Sequence, residues 1–233
     1  MSGIVIAALI AATAATLVWG AAILARGQRS DRRLLALCFV LQLPMSAVAY
    51  HLVRTPLDRA VHGLLGDGAL YAWGRLLYAP VTEEPAKLWP LLIPWIARRV
   101  TRSNAARVAA ALGLGFGVGE IGLLADLIRV NPRVAGLAWH ELTGFMVERF
   151  LVCLVHGLLT AMALLGWKAW RIGLAGGLAL AILLHLAVNL PIAAVHAGWF
   201  GTEPATLTVL MSVWNAAFFI AALVVLLVLD GKR

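Results

Sequence analysis

The chain is 233 residues long, 62% hydrophobic and only 13% charged, with a mean hydropathy of +0.91. A soluble domain carries about 25% charged residues, so this composition excludes one and reads as a polytopic membrane protein with helices of roughly 20 residues each. The net charge of +8 does not mark a nucleic-acid binder, because the arginines lie in short loops between apolar runs, where orientation signals belong.

The first predicted span covers residues 3–25 and is free of charge. Met1-Ser2-Gly3-Ile4 carries no side-chain positive charge and the apolar run after it is long, so no cleaved signal peptide is expected. Arg26, Arg29, Arg32 and Arg33 follow, then a second span at 34–53 with Pro44 near its middle. Residues 54–69 form a mixed loop or short surface helix containing Asp58, His62 and Asp67. A third span at 70–96 precedes a basic loop with Arg98, Arg99, Arg102 and Arg107. The fourth and fifth spans are 106–128 and 141–167, with Lys168 and Arg171 in a tight turn after them. The sixth and seventh are 172–197 and 205–229. Loops after spans one, three and five, with Lys232 and Arg233, hold 12 Lys and Arg; the opposite loops hold 4 (Arg54, Arg59, Arg129 and Arg133). The positive-inside rule then puts the N-terminus outside and the C-terminus in the cytoplasm. The expected fold is an all-α bundle of about seven transmembrane helices, one integral membrane domain over 1–233 with its functional core at 70–197. Cys38 and Cys153 both fall in apolar segments and read as packing residues, not as a disulfide or metal site.

The third span holds the most unusual stretch, Tyr78-Ala79-Pro80-Val81-Thr82-Glu83-Glu84-Pro85-Ala86-Lys87, with Pro90 and Pro94 beyond it. Ionisable groups at bilayer depth are costly and default to a functional reading. A proline inside a helix also frees the carbonyl four residues back, here Val81 for Pro85, and in lipid that group needs a partner or a wet cavity. Glu83 and Lys87 share a helix face, while Glu84 lies about 100° round. Lys87 can hold one carboxylate ionised and leave the other for proton transfer to and from water. The plainer reading is an ion pair that fixes packing, but one lysine cannot neutralise two buried carboxylates.

Glu83, Glu120, His156 and His185 each lie 13 to 15 residues into their own span. At 1.5 Å per residue all four sit near the midplane, and one shared chamber is the simplest account. In the fourth span, Gly113, Gly115, Gly117 and Gly119 form small-xxx-small pairs that let helices approach. Glu120 follows them on the same face as Phe116, and packing offers no reason for it. In the fifth span Arg149 and His156 are two turns apart, and Arg149 can balance Glu120 or one of the glutamate pair. Glu148 is expected to pair locally and Asp126 to be interfacial. In the sixth, His185 and Asn189 are four apart on one face and can donate to a developing oxyanion. Interhelical hydrogen bonding is the bland alternative for each of these. Zinc held by His156, His185 and a glutamate would make a three-ligand site with an open position. There is no H-E-x-x-H, however, and a glutamate can activate water without metal.

These blocks, Glu83-Glu84-Pro85-Ala86-Lys87, Phe116 to Glu120, Arg149 to His156 and His185 to Asn189, resemble in order and spacing the PrsW family of bacterial intramembrane proteases. That family belongs to the wider superfamily of CAAX prenyl proteases and bacteriocin-processing (Abi) proteins. Lys87 instead of an arginine at 88, and Glu120 instead of a histidine, point to the PrsW branch. Ile121 stands where that branch often has asparagine, and Pro85 directly after the glutamate pair is unusual. The resemblance implies hydrolysis of membrane-anchored protein substrates in the bacterial inner membrane, with no cofactor required. Carried over by position, Glu83 would be the general base and Glu84 would orient the water, a pair of roles that can be exchanged. His185 and Asn189 would stabilise the oxyanion, and His156 would protonate the leaving amine or hydrogen-bond the glutamates. Lys87, Phe116, Glu120 and Arg149 would support them. The competing expectations are a non-catalytic scaffold or binding subunit of the same superfamily, and a proton-coupled transporter built on the buried carboxylates and histidines. Against the transporter, the sequence shows no inverted repeat.

Overall fold

The computed structural model describes residues 1–26, 29, 31–196 and 204–231. Among these residues the chain is helical and contains no strand. Among the described residues, five stretches are long and apolar enough to cross a membrane: Gly3–Ala25, Arg32–Leu65, Ala105–Ile128, Trp139–Lys168 and Gly173–Pro191. Large apolar side chains such as Leu9, Leu17, Val40, Leu52 and Leu183 are exposed on their outer faces. Water would penalise such a surface, and acyl chains would not. The chain is a membrane protein by this measure.

Helix α1 (Gly3–Arg26) and helix α2 (Arg32–Gln42) open the bundle. Pro44 then interrupts the helix ladder, and Leu43 N donates to Val40 O in a tighter turn that satisfies the carbonyl Pro44 cannot bond. Helix α3 (Met45–Val48) leads into a π-helical turn (Ala49–Arg54) and then helix α4 (Thr55–Leu65), which buries no residue. Of the two forms expected at 54–69, the surface helix is the one found, and it continues from the second span.

The expected continuous span at 70–96 is not one helix. It is divided into α5 (Ala69–Gly74), a 3₁₀ turn (Arg75–Leu77), α6 (Tyr78–Leu88), a second 3₁₀ turn (Trp89–Leu92) and α7 (Pro94–Arg99). Prolines account for the later breaks. Pro90 sits inside the second 3₁₀ turn, and Pro94 takes the first position of α7, where its missing N–H costs nothing. Before Pro94, Ile93 is extended (φ −81°, ψ 112°), as a residue preceding proline prefers.

Helices α8 (Ala105–Ile128) and α10 (Thr143–Lys168) form the buried centre, joined by α9 (Pro132–Ala135) and a 3₁₀ turn (Trp139–Leu142). The alternating glycines of α8 serve two neighbours. A Cβ on Gly113 would lie 2.3 Å from the Gly157 nitrogen of α10, whereas one on Gly115 or Gly119 would strike Phe39 O or Leu43 O of the second span at 2.2 and 2.0 Å. Gly166 of α10 meets Gly177 of α11 (Gly173–His196) in the same way. Backbones pack this closely only where at least one of the facing residues lacks a side chain. Helix α12 (Pro204–Gly231) completes the order and lies against α10 and α11. Trp19 Nε1 donates to Phe150 O (2.9 Å) and ties α1 to α10. Cys38 and Cys153 are buried free thiols in the apolar core. The expected end of the sixth span at 197 and the C-terminal Lys232 and Arg233 lie outside the described residues.

Candidate functional site

Four helices bring ionisable side chains to one place. Helix α6 supplies Glu83, Glu84 and Lys87, α8 supplies Glu120, α10 supplies Arg149 and His156, and α11 supplies His185. They form two linked groups.

In the first group, Glu84 Oε1 accepts from Lys87 Nζ at 2.6 Å and from His185 Nδ1 at 2.5 Å. Glu84 and Lys87 are almost wholly shielded, at 2% and 0% exposure. Glu84, one turn before Lys87 at i, i+3, is therefore the carboxylate Lys87 holds. An ionised carboxylate only accepts, so His185 donates through Nδ1–H, and in the neutral imidazole its Nε2 carries a free lone pair. That nitrogen lies 3.9 Å from Glu83 Oε2. Glu83 is oppositely situated: it is buried, and Oε2 has no hydrogen-bond partner. Its other oxygen lies 3.9 Å from Arg54 Nη1, beyond hydrogen-bond length.

In the second group, Glu120 Oε2 accepts from Arg149 Nη1 and from His156 Nε2, each at 3.0 Å. Arg149 also donates to Glu148 at the rim. His156 Nδ1 is buried and unpartnered. Phe116 joins the groups: its ring lies 5.4 Å from that of His156, and Lys87 Nζ stands 5.0 Å over its face. The His156 and His185 rings meet edge to face at 6.1 Å. Three carboxylates (Glu83, Glu84, Glu120) thus face three cations (Arg54, Lys87, Arg149), with two imidazoles between them.

Asn189 lies one turn past His185 on α11, half-buried, and is bonded to none of these groups. Asp126 is outside the cluster, exposed and paired with Arg129. Among the described residues no three His, Cys, Asp or Glu side chains converge as metal ligands. His156 and His185 each spend one nitrogen on a different carboxylate.

Two residues of the site were not singled out by the sequence. Gln42, fully buried outside the expected 70–197 core, donates from Nε2 to Lys87 O at 2.6 Å and anchors the lysine's backbone to the second span. Arg54 counted only as an orientation charge. The π-helical turn brings it to Glu83, and such turns recur at functional sites. A signal for Gln42 existed, since an amide inside an apolar run needs a partner; Arg54 gave none, because a basic residue ending a span is ordinary.

No family model matches the chain, and no curated protein or solved structure matches it either.

Proposed function

We propose that the protein is an intramembrane endopeptidase of the PrsW type, hydrolysing peptide bonds of membrane-anchored substrates with a glutamate-activated water. The observation that carries this reading is the asymmetry of the glutamate pair. Glu84 is held through Oε1 by both Lys87 and His185, while Glu83 makes no hydrogen bond among the described residues and keeps a buried, unpartnered oxygen 3.9 Å from a histidine nitrogen. Polar atoms at that separation are commonly bridged by water. A water there donates one hydrogen to Glu83 Oε2 and one to His185 Nε2, leaving its oxygen lone pair for attack.

In the proposed step, Glu83 takes a proton from the water as its oxygen bonds to the scissile carbonyl carbon. The same proton then passes to the leaving nitrogen as the C–N bond breaks. Glu84 fixes the His185 ring, and Lys87 keeps Glu84 charged. Asn189, on the same face of α11, offers an amide N–H to the oxyanion; one such donor is worth about 3 kcal/mol. His156, held by Glu120, which Arg149 in turn holds, forms the opposite wall and can relay a proton to the amine. The site needs no metal in this scheme.

The wider reading is a bacterial inner-membrane protein with seven membrane-embedded segments, the third of them broken. Its N-terminus is outside, its C-terminus cytoplasmic, and its substrate a single-span or membrane-anchored protein. The test is purified protein with a panel of single-span substrates. Cleavage by wild type and none by Glu83→Gln or His185→Ala supports it. Equal cleavage by all three proteins refutes it, and partner binding that survives Glu83→Gln with no hydrolysis of any substrate favours the scaffold alternative.

A further inference from the structure

A cavity of about 130 Å³ lies between the π-helical turn and the start of α6, lined by Tyr50, Arg54, Thr55, Asp58, Arg75 and Tyr78. It adjoins the candidate base, because its wall residue Arg54 is the side chain 3.9 Å from Glu83. Its electrostatics are lopsided. The one lining carboxylate, Asp58, is outnumbered by Arg54 and Arg75: its Oδ1 accepts from Tyr71 OH at 2.8 Å and lies 3.8 Å from Arg75 Nε. Thr55 spends its hydroxyl proton on Tyr50 O (2.9 Å). Arg54 lies against the Tyr50 ring, 5.7 Å from its centre, and makes no hydrogen bond to a described residue, so its forked donors are unspent. The Tyr78 hydroxyl is buried, with the residue only 6% exposed, and has no partner. An unpaired buried hydroxyl is costly unless something fills it.

Two guanidiniums and an unpartnered phenol, set against one carboxylate, leave donors in excess and favour an anion. The volume equals that of about four waters. That fits the carboxylate and methylenes of one side chain better than a glycerol-linked lipid headgroup. We propose that this cavity is a substrate subsite that takes an acidic side chain, Asp or Glu, close to the bond presented to Glu83. Arg54 and Arg75 supply the charge and Tyr78 OH a directional donor. The proposal rests on the hydrolase reading for the meaning of "substrate", and the binding itself is independent of turnover.

The experiment uses the Glu83→Gln protein in zwitterionic lipid nanodiscs. Fluorescently labelled single-span peptides are titrated in, each with one Glu or one Gln walked along half of the span, and Kd is read by anisotropy. The expected result is one or two adjacent positions where Glu binds about tenfold tighter than Gln, the size of one charge-assisted hydrogen bond. Tyr78→Phe and Arg75→Gln are each expected to cut that advantage to about threefold or less, with thermal midpoints showing that both variants fold. Equal Kd for Glu and Gln at every position overturns the subsite, as does an advantage that survives the Tyr78→Phe/Arg75→Gln double variant. An advantage that vanishes in anionic nanodiscs reassigns the cavity to a lipid phosphate and also overturns it. Acid-preferring binding without cleavage by wild type leaves the subsite standing and removes the hydrolase; cleavage without acid preference does the reverse.

Discussion

The two halves of the site are built on opposite kinds of backbone. Glu120 and His156 stand on α8 and α10, long unbroken helices whose glycines let them meet at backbone contact. Glu83 and Glu84 stand on α6, eleven residues flanked by 3₁₀ turns within a stretch cut into five short pieces. Continuous helices satisfy their own peptide groups and can sit in lipid unaided. A broken stretch at that depth is tolerated only against protein or water. The rigid half is therefore suited to fixing geometry, and the interrupted half, under the proposed hydrolysis, to holding the groups that meet water and a substrate.

Substitutions put this contrast to the test. The largest expected effect is on catalysis. Glu83→Gln should lower the rate of substrate cleavage by about 10²–10⁴-fold while leaving the thermal midpoint of the detergent-solubilised protein the same or higher, since Glu83 makes no hydrogen bond to lose. A drop in midpoint would show that Glu83 belongs to the rigid framework after all. Next is Lys87→Met, which strands the Glu84 carboxylate with His185 alone. Breaking a buried pair on one side costs about 3–5 kcal/mol, and the loss should appear in unfolding by heat or denaturant. A neutral result would mean that water already solvates the pair.

The continuous half is probed with smaller changes. Gly113→Ala forces a methyl to 2.3 Å from the Gly157 nitrogen, so α8 and α10 must separate. Overpacking of this kind costs about 1–3 kcal/mol, and cleavage should fall with stability because the Glu120–His156 wall moves as well. Gly122→Ala is the smallest: nothing lies within 4 Å of the added carbon, and relief of glycine's helix penalty should stabilise the protein by up to about 1 kcal/mol. If these two variants behave alike, backbone contact between α8 and α10 is not what holds that half together.

The continuous half was the more legible in sequence. Apolar length alone marks α1, α8, α10 and α11 to within a few residues. The shared depth of Glu83, Glu120, His156 and His185 points to residues that do meet across four helices. The broken half was less legible. Pro80, Pro85, Pro90 and Pro94 warned of irregular backbone, yet where each break falls depends on which carbonyls find partners in three dimensions. Lys87 chose between two carboxylates on a tertiary basis, since Glu84 is the one that His185 also reaches. The double duty of the α8 glycines was half visible: their spacing promised close packing but could not say that alternate members meet different helices.

The bond from His185 to Glu84 joins positions 101 residues apart, and this has a consequence for biosynthesis. A ribosome adding about 5–20 residues per second leaves roughly 5–20 s between the emergence of Glu84 and that of His185. During that interval the acidic pair has its lysine but not its imidazole, so the nascent proline-rich stretch gains little by partitioning into the bilayer. It should wait in the hydrated vestibule of the insertion machinery and dock only once α11 emerges, so the third segment settles after spans made later than it.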